Sequence, residues 1–251
     1  MSTVTPVRAA PRSSAFDRAT AMRLAATEYD RFLDQLRDLD EEDWTRPTDC
    51  PAWDVRAIAG HVLGEAEGAG SVREFVRQFV ATARAGGGVD AYTALQVREH
   101  AGLTPGEVVD RFAAAAPRAV RGRRRVPGPV RRLPIPDEQV VGSTRERWTV
   151  GFLLDTIFNR DPWMHRIDIA RATGRPLELT ADHDGVLVAD IVAEWAGRHG
   201  RPYRLRLTGP AGGTWTSGDG GEDLELDAVE FCRLLSGRGA ATGLLAQPVP
   251  F

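Results

Sequence analysis

Two of the five histidines sit at spacings that could do chemistry. His165, in RDPWMHRIDIARATG, follows Asp161 by four residues and precedes Asp168 by three. Residues four apart on a helix share a face, so this carboxylate and imidazole can reach one point. Helical bundles present inward metal ligands in this way. The same spacing also makes plain surface ion pairs, so a third donor from another helix is needed. His61, in WDVRAIAGHVLGE, is the candidate donor. Glu65, four residues after His61, is a rival acid, although its ordinary reading is a solvated residue on a polar face. Asp168 suits the other imidazole N–H of His165, as metal-bound histidines usually require; otherwise it is a charge partner for Arg166 or Arg171. Asp161 precedes Pro162, and Asp-Pro predicts a helix restart with Asp161 as N-cap, one oxygen remaining free for a metal.

The elements that must position these residues follow from hydrophobic period and punctuation. Apolar residues recur at three- and four-residue spacing over 16–39, a one-faced helix. After TRPTDCPAW a second helix begins at Asp54 as N-cap, with Trp53 before it as a possible staple. A third stripe, Val72, Phe75, Val76, Phe79, Val80 and Ala83, ends at Gly86, Gly87 and Gly88. A short helix over 91–100 precedes TPGE, where Thr104, Pro105 and Glu107 make a capping box for a helix towards Val120. Residues 121–142, with four prolines and a run of arginines, read as a long loop, solvated or in contact with an acidic substrate. Helical pattern resumes over 145–171 and again over 185–199. Then the period becomes two. Tyr203, Leu205 and Leu207 are answered by Thr214, Trp215 and Thr216, LELD makes a third strand, and Asp227 with Glu230 caps a last helix. The class is mainly α, a helical bundle with a small C-terminal α+β domain. The expected boundaries are a flexible tail over 1–14, the bundle over 15–176 and the α+β unit over 177–251.

Composition excludes other classes. Apolar residues make up 42% and charged residues 27%, as in globular chains, and the net charge is −3. That balance offers no general attraction for nucleic acid or an anionic membrane, and the arginine run has no interleaved aromatics. No lysine occurs, so Schiff-base chemistry is excluded. Cys50 and Cys232 form no CxxC pair and neither adjoins a histidine, so structural roles are expected for both. With no secretory signal and no membrane-length apolar run, the expected location is cytoplasmic.

Three segments, in order, resemble the mycothiol-dependent maleylpyruvate isomerase family, an actinobacterial branch of the DinB-like four-helix proteins. They are PTDCPAWDVRAIAGHVLGEAEG, RDPWMHRIDIARATGRP and DAVEFCRLLSGRGAATGLLAQPVPF. The resemblance implies a DinB-like four-helix bundle with a sterol-carrier-like C-terminal unit. It implies a metal on His61, Asp161 and His165, where better-known members carry Glu at the position of Asp161. It implies mycothiol or a similar thiol as cofactor, and it matches Arg238 to an arginine closing the last helix, facing the cleft. Asp168 and Arg238 are then the expected catalytic residues. Three ligands leave a coordination position open, and an N/N/O set suits zinc first, with nickel or iron as alternatives. The expected function is thiol-dependent isomerisation or S-transfer on a small organic acid or electrophile, arginines holding the acid group. The alternative is a non-catalytic metal- or ligand-binding module.

Overall fold

The structure, a computed structural model, describes residues 10–251. Helix α1 spans Arg18–Arg37, α2 Val55–Gly70, α3 Val72–Arg84, α4 Gly88–His100, α5 Pro105–Arg125 and α6 Gly128–Arg131. A hairpin of β1 (Gln139–Val141) and β2 (Thr144–Glu146) follows. Helix α7 (Val150–Phe152) then runs through a π-turn at Leu153–Ile157 into α8, Phe158–Thr173. Helix α9 spans Val186–His199, strands β3, β4 and β5 span Tyr203–Thr208, Gly213–Ser217 and Glu222–Asp227, and α10 spans Ala228–Leu235.

Local signals set the starts. Asp17 accepts from Thr20 N at 3.0 Å, Asp54 accepts from Ala57 N at 2.8 Å, and Thr104 with Glu107 closes a reciprocal box. Such caps contribute about 1 kcal/mol each. Asp227 caps α10 by itself, because Glu230 turns to Arg233 instead of completing a box. Helices α1, α2, α5 and α8 pack around Phe32, Ile58, Val62, Phe112 and Ile169, making the four-helix, DinB-like bundle. Truncating Phe112 there would cost about 3–5 kcal/mol. The hairpin of α3 and α4 covers another side of α2.

The C-terminal sheet has the order β4-β3-β5, antiparallel then parallel. Tyr203, Leu205 and Leu207 point inward and share one core with Leu187, Ile191 and Trp195 of α9 and with Trp163, Met164 and Ile167 of α8. The outer face carries exposed ion pairs, Arg204–Asp223 and Arg206–Glu225. Helix α8 is therefore covered on both sides, by the bundle in front and the α+β unit behind.

Four expectations are corrected. Residues 121–142 are not one loop: α5 runs on to Arg125, and α6 and the β-hairpin follow. The arginines explain this, since Arg123 is fully buried and donates to Phe158 O and Asn159 Oδ1, while Arg131 pairs with buried Asp155. The segment 145–171 is helical only from Val150, where Thr149 caps, and Asp161–Pro162 is no restart. Pro162 has no N–H to give the Phe158 carbonyl, and Arg123 Nη1 supplies that donor at 3.1 Å, so the helix continues through it. The α3 stripe does not face the core: Gln78 and Thr82 are the buried residues, whereas Val72, Val76, Phe79 and Val80 are exposed. The expected tail over 1–14 lies partly outside the described residues; within them, Arg12 bridges to Trp148 and pairs with Glu194.

Among the described residues no helix is long and apolar enough to cross a membrane.

Candidate metal centre

Helix α2 brings His61 and helix α8 brings Asp161 and His165 to one point between them. His61 Nε2 lies 3.0 Å from Asp161 Oδ2, and His165 Nε2 lies 3.5 Å from Asp161 Oδ1. Both imidazoles are buried, in edge contact with centroids 5.2 Å apart. Trp53 lies against both rings, at 5.1 and 5.7 Å, rather than acting only as a staple for α2. The remaining described histidines are engaged elsewhere: His100 with Gln96 O and Glu67, His183 with Glu28, and His199 against Trp195.

Hydrogen bonds behind the rings settle which nitrogen carries the proton. The Gly64 carbonyl can only accept, so Gln78 Nε2 donates to it at 2.9 Å and Gln78 Oε1 must face Gln96. Gln96 Nε2 then donates to Gln78 Oε1 at 3.1 Å, which turns Gln96 Oε1 towards His61 Nδ1 at 2.8 Å. Nδ1 of His61 is therefore the protonated nitrogen. Gly64 makes this reach possible: a Cβ there would stand 2.7 Å from Gln96 Cγ. Behind His165, Nδ1–H donates to Asp168 Oδ2 at 3.0 Å. Asp168 in turn accepts from Arg238 Nε and Nη2, both at 2.7 Å. Asp168 thus pairs with neither Arg166, which goes to Glu28 and Asp184, nor Arg171, which goes to Asp49.

With both Nδ1 atoms protonated, two Nε2 lone pairs and the Asp161 carboxylate confront one another. Three acceptors held this closely require a cation between them, either a proton or a metal ion. Burial opposes charge on Asp161, but His61 and His165 outweigh it and hold the carboxyl well below its usual range. Burial likewise opposes the His165 imidazolium, yet Asp161 and then Asp168 lift it well above the usual imidazole range. The donor set, one atom from each residue within 4.8 Å of the others, fits a divalent ion.

The rival acid is placed differently from the expectation. Glu65 is 2% exposed, not solvated, and accepts from Tyr29 OH at 3.2 Å. Burial, then the negative charge of Asp161, pushes its carboxyl well above the usual range. Cys50 was unplaced by sequence and sits at the same centre, with Sγ 3.6 Å from Asp168 and 3.4 Å from Arg238 Nη2. Cys50, His165 and Asp168 also converge. In that trio, however, Asp168 is already taken by Arg238 and by His165 Nδ1–H, so it demands no cation. Cys232 lies in the C-terminal core, its thiol pushed up by burial. Arg238 gives Nε and Nη2 to Asp168, and the buried Arg123 and Arg131 of the 121–142 segment bond to internal partners.

A cavity of about 340 Å³ opens on His61 and Asp161. Its walls come from α3, from Tyr92 of α4, from residues 133–137 and from the π-turn before α8.

A family model, the mycothiol maleylpyruvate isomerase N-terminal domain, matches residues 25–170. Two crystal structures of the mycothiol-dependent maleylpyruvate isomerase, one of them a histidine-to-alanine variant, are similar to this chain with TM-scores of 0.56. Their identities are 15% and 14%, and the alignments cover 89% of this chain and 90% of theirs. At that identity the likeness concerns the fold. No curated protein sequence matches.

Proposed function

From the premise that this chain belongs to the mycothiol maleylpyruvate isomerase N-terminal domain family, we propose a metal-dependent enzyme that uses a small thiol. One divalent ion, zinc in the first instance, is held by His61 Nε2, His165 Nε2 and Asp161. The observation that carries this reading is the confrontation of three acceptors whose tautomers are fixed from behind. A divalent ion bound there would supply Lewis acidity, favouring ionisation of a thiol at neutral pH. The chain's own residues do the rest. Gln96 and Asp168 hold each imidazole with its lone pair forward, and Trp53 shields both rings from water. Arg238 keeps Asp168 charged and in place, so both act as positioning residues. The reaction class is isomerisation or S-transfer, with a small-molecule substrate and a thiol cofactor such as mycothiol. A cytoplasmic setting accords with Cys50 and Cys232, which are both free thiols.

Metal-free protein titrated with zinc should take up about one ion per chain, and His165→Ala should take up none. Thiol consumption with mycothiol and a panel of electrophiles should require that ion and survive Cys50→Ala. Absence of zinc uptake by the wild type overturns the reading. Turnover that needs Cys50 but no added thiol moves the nucleophile to the protein.

A further inference from the structure

The walls of the cavity beside the triad favour one substrate class. Phe75, Phe79, Leu133, Ile135, Trp148 and Leu153 make it mainly apolar. Its titratable lining residues, among those described, are Asp137, Asp161 and Glu65, the last pushed by burial towards its neutral form, with His61 beside them and no arginine. In the metal-free protein a carboxylate entering it would meet the charges of Asp161 and Asp137, find no guanidinium and lose its hydration against apolar walls. Two hydroxyls of the lining are left without a hydrogen-bond partner, those of Thr82 and Tyr92, and Thr82 is the more buried residue. A buried hydroxyl without a partner is costly, so an oxygen on a bound molecule would be favoured there. The volume is about twice that of a cavity known to hold benzene, enough for a two-ring compound.

We infer that the substrate of this site is an uncharged, mainly apolar molecule carrying one hydrogen-bond-accepting oxygen, such as a carbonyl, ester or epoxide. Its reactivity rests on the thiol reading above; its binding does not. Phe79 and Leu133, both partly exposed, stand at the mouth, and the oxygen reaches Thr82 Oγ1 inside. The polar groups Cys50, Arg238 and Asp168 do not line this cavity, which leaves their side of the centre for the more polar thiol.

The test compares methyl 1-naphthoate with 1-naphthoate, one skeleton with and without charge. Binding to the full chain is read by calorimetry and by tryptophan fluorescence, with and without added zinc. Without zinc the ester should bind at least about tenfold more tightly than the carboxylate, and ester binding should persist when zinc is added. Thr82→Val should weaken the ester about fivefold, the effect of one lost hydrogen bond. Leu133→Arg, a change at a partly exposed site, should bring the carboxylate to the affinity of the ester. Carboxylate binding as tight as the ester's in the metal-free wild type overturns the inference, as does a Thr82→Val variant that binds the ester unchanged. No turnover is needed, so this result stands apart from the zinc and thiol titrations.

Discussion

The two imidazoles of the centre are held in different ways. His61 is backed by a relay of neutral amides, Gln96 to Gln78, whose NH₂ donates to the Gly64 carbonyl and to Glu74, lying wholly within α2, α3 and α4. His165 is backed by a charged one, Asp168 to Arg238, which crosses from α8 to the segment after α10. A neutral amide fixes a tautomer at low electrostatic cost. A carboxylate also raises the basicity of the imidazole, but a buried carboxylate must itself be paired. The bundle alone can therefore orient His61, whereas His165 depends on the C-terminal unit being docked.

The largest effect should come from the residue common to both halves. Asp161→Ala removes the carboxylate whose two oxygens face the two Nε2 atoms, and zinc affinity should fall by more than about 100-fold, beyond the 10–100-fold typical of an outer partner. Glu65→Ala, which leaves the triad intact, should change it far less. Zinc titration against a competing chelator measures both, and equal losses would assign Glu65 to the metal.

Next come the two supports. Arg238→Ala strands the fully buried Asp168 charge and should cost about 3 kcal/mol of stability in denaturant unfolding, with zinc affinity down roughly 10–100-fold. Gln96→Leu should weaken zinc by about tenfold and stability by about 1 kcal/mol, because only neutral hydrogen bonds are lost. If the two variants lose equal stability, the charged and neutral relays do not differ as described.

Acid should separate the halves as well. Asp184, buried against Arg166, Arg31 and Trp163, ties α1 and α8 to the segment before α9, and Glu194 ties α9 to Arg160 and Arg12. Burial opposes both charges, but the arginines prevail, Arg166 for Asp184 and Arg160 for Glu194, and hold both carboxyls below their usual range. A folded-state pKa below the unfolded one gives stability that is present above about pH 4 and lost as pH falls through the folded value. Amide exchange should therefore rise most at the α8–α9 seam on acidification, and less in α2 and α4, where the half-buried Glu67 pair with His100 and Arg111 is lost in the same way. Equal opening of both regions would contradict the contrast.

How much of this was legible in the sequence follows from where each contact lies. Asp161 and His165 were legible because i,i+4 spacing is a property of one helix, and His61 because few other histidines stood in a strong helical pattern. The family motifs pointed to the same three and added Arg238. Gln96 and Gln78 were not legible, since their partners lie on other helices; the close approach allowed at Gly64 was the only local trace. The α3 stripe misled because Phe75 and Phe79 line a cavity instead of a core, while Val72, Val76 and Val80 stay exposed. The Asp-Pro pair misled because a guanidinium from α5 satisfies the carbonyl that Pro162 leaves open. Arginines such as Arg123 and Arg131 look solvated in sequence until their acceptors are known.

The smallest effect tests the neutral relay at its far end. Gln78→Leu touches no ligand and leaves α3 an apolar residue of similar size. It removes the acceptor that makes Gln96 present its oxygen to His61. The Gln96 amide can then turn either way, and in the turned state its NH₂ faces His61 Nδ1, which must become the acceptor. His61 Nε2 would carry the proton in that fraction of molecules and could not bind a metal. If the two orientations are about equal, only half the protein is competent and apparent zinc affinity falls about twofold. Nitrogen-15 spectra of the metal-free protein, recorded above the pH at which the imidazoles are charged, should show one Nδ1–H tautomer for His61 in the wild type and a mixture in the variant. His165, tied to Asp168, should be unaltered in both. A single His61 tautomer in Gln78→Leu would mean that something other than the amide relay orients this ring.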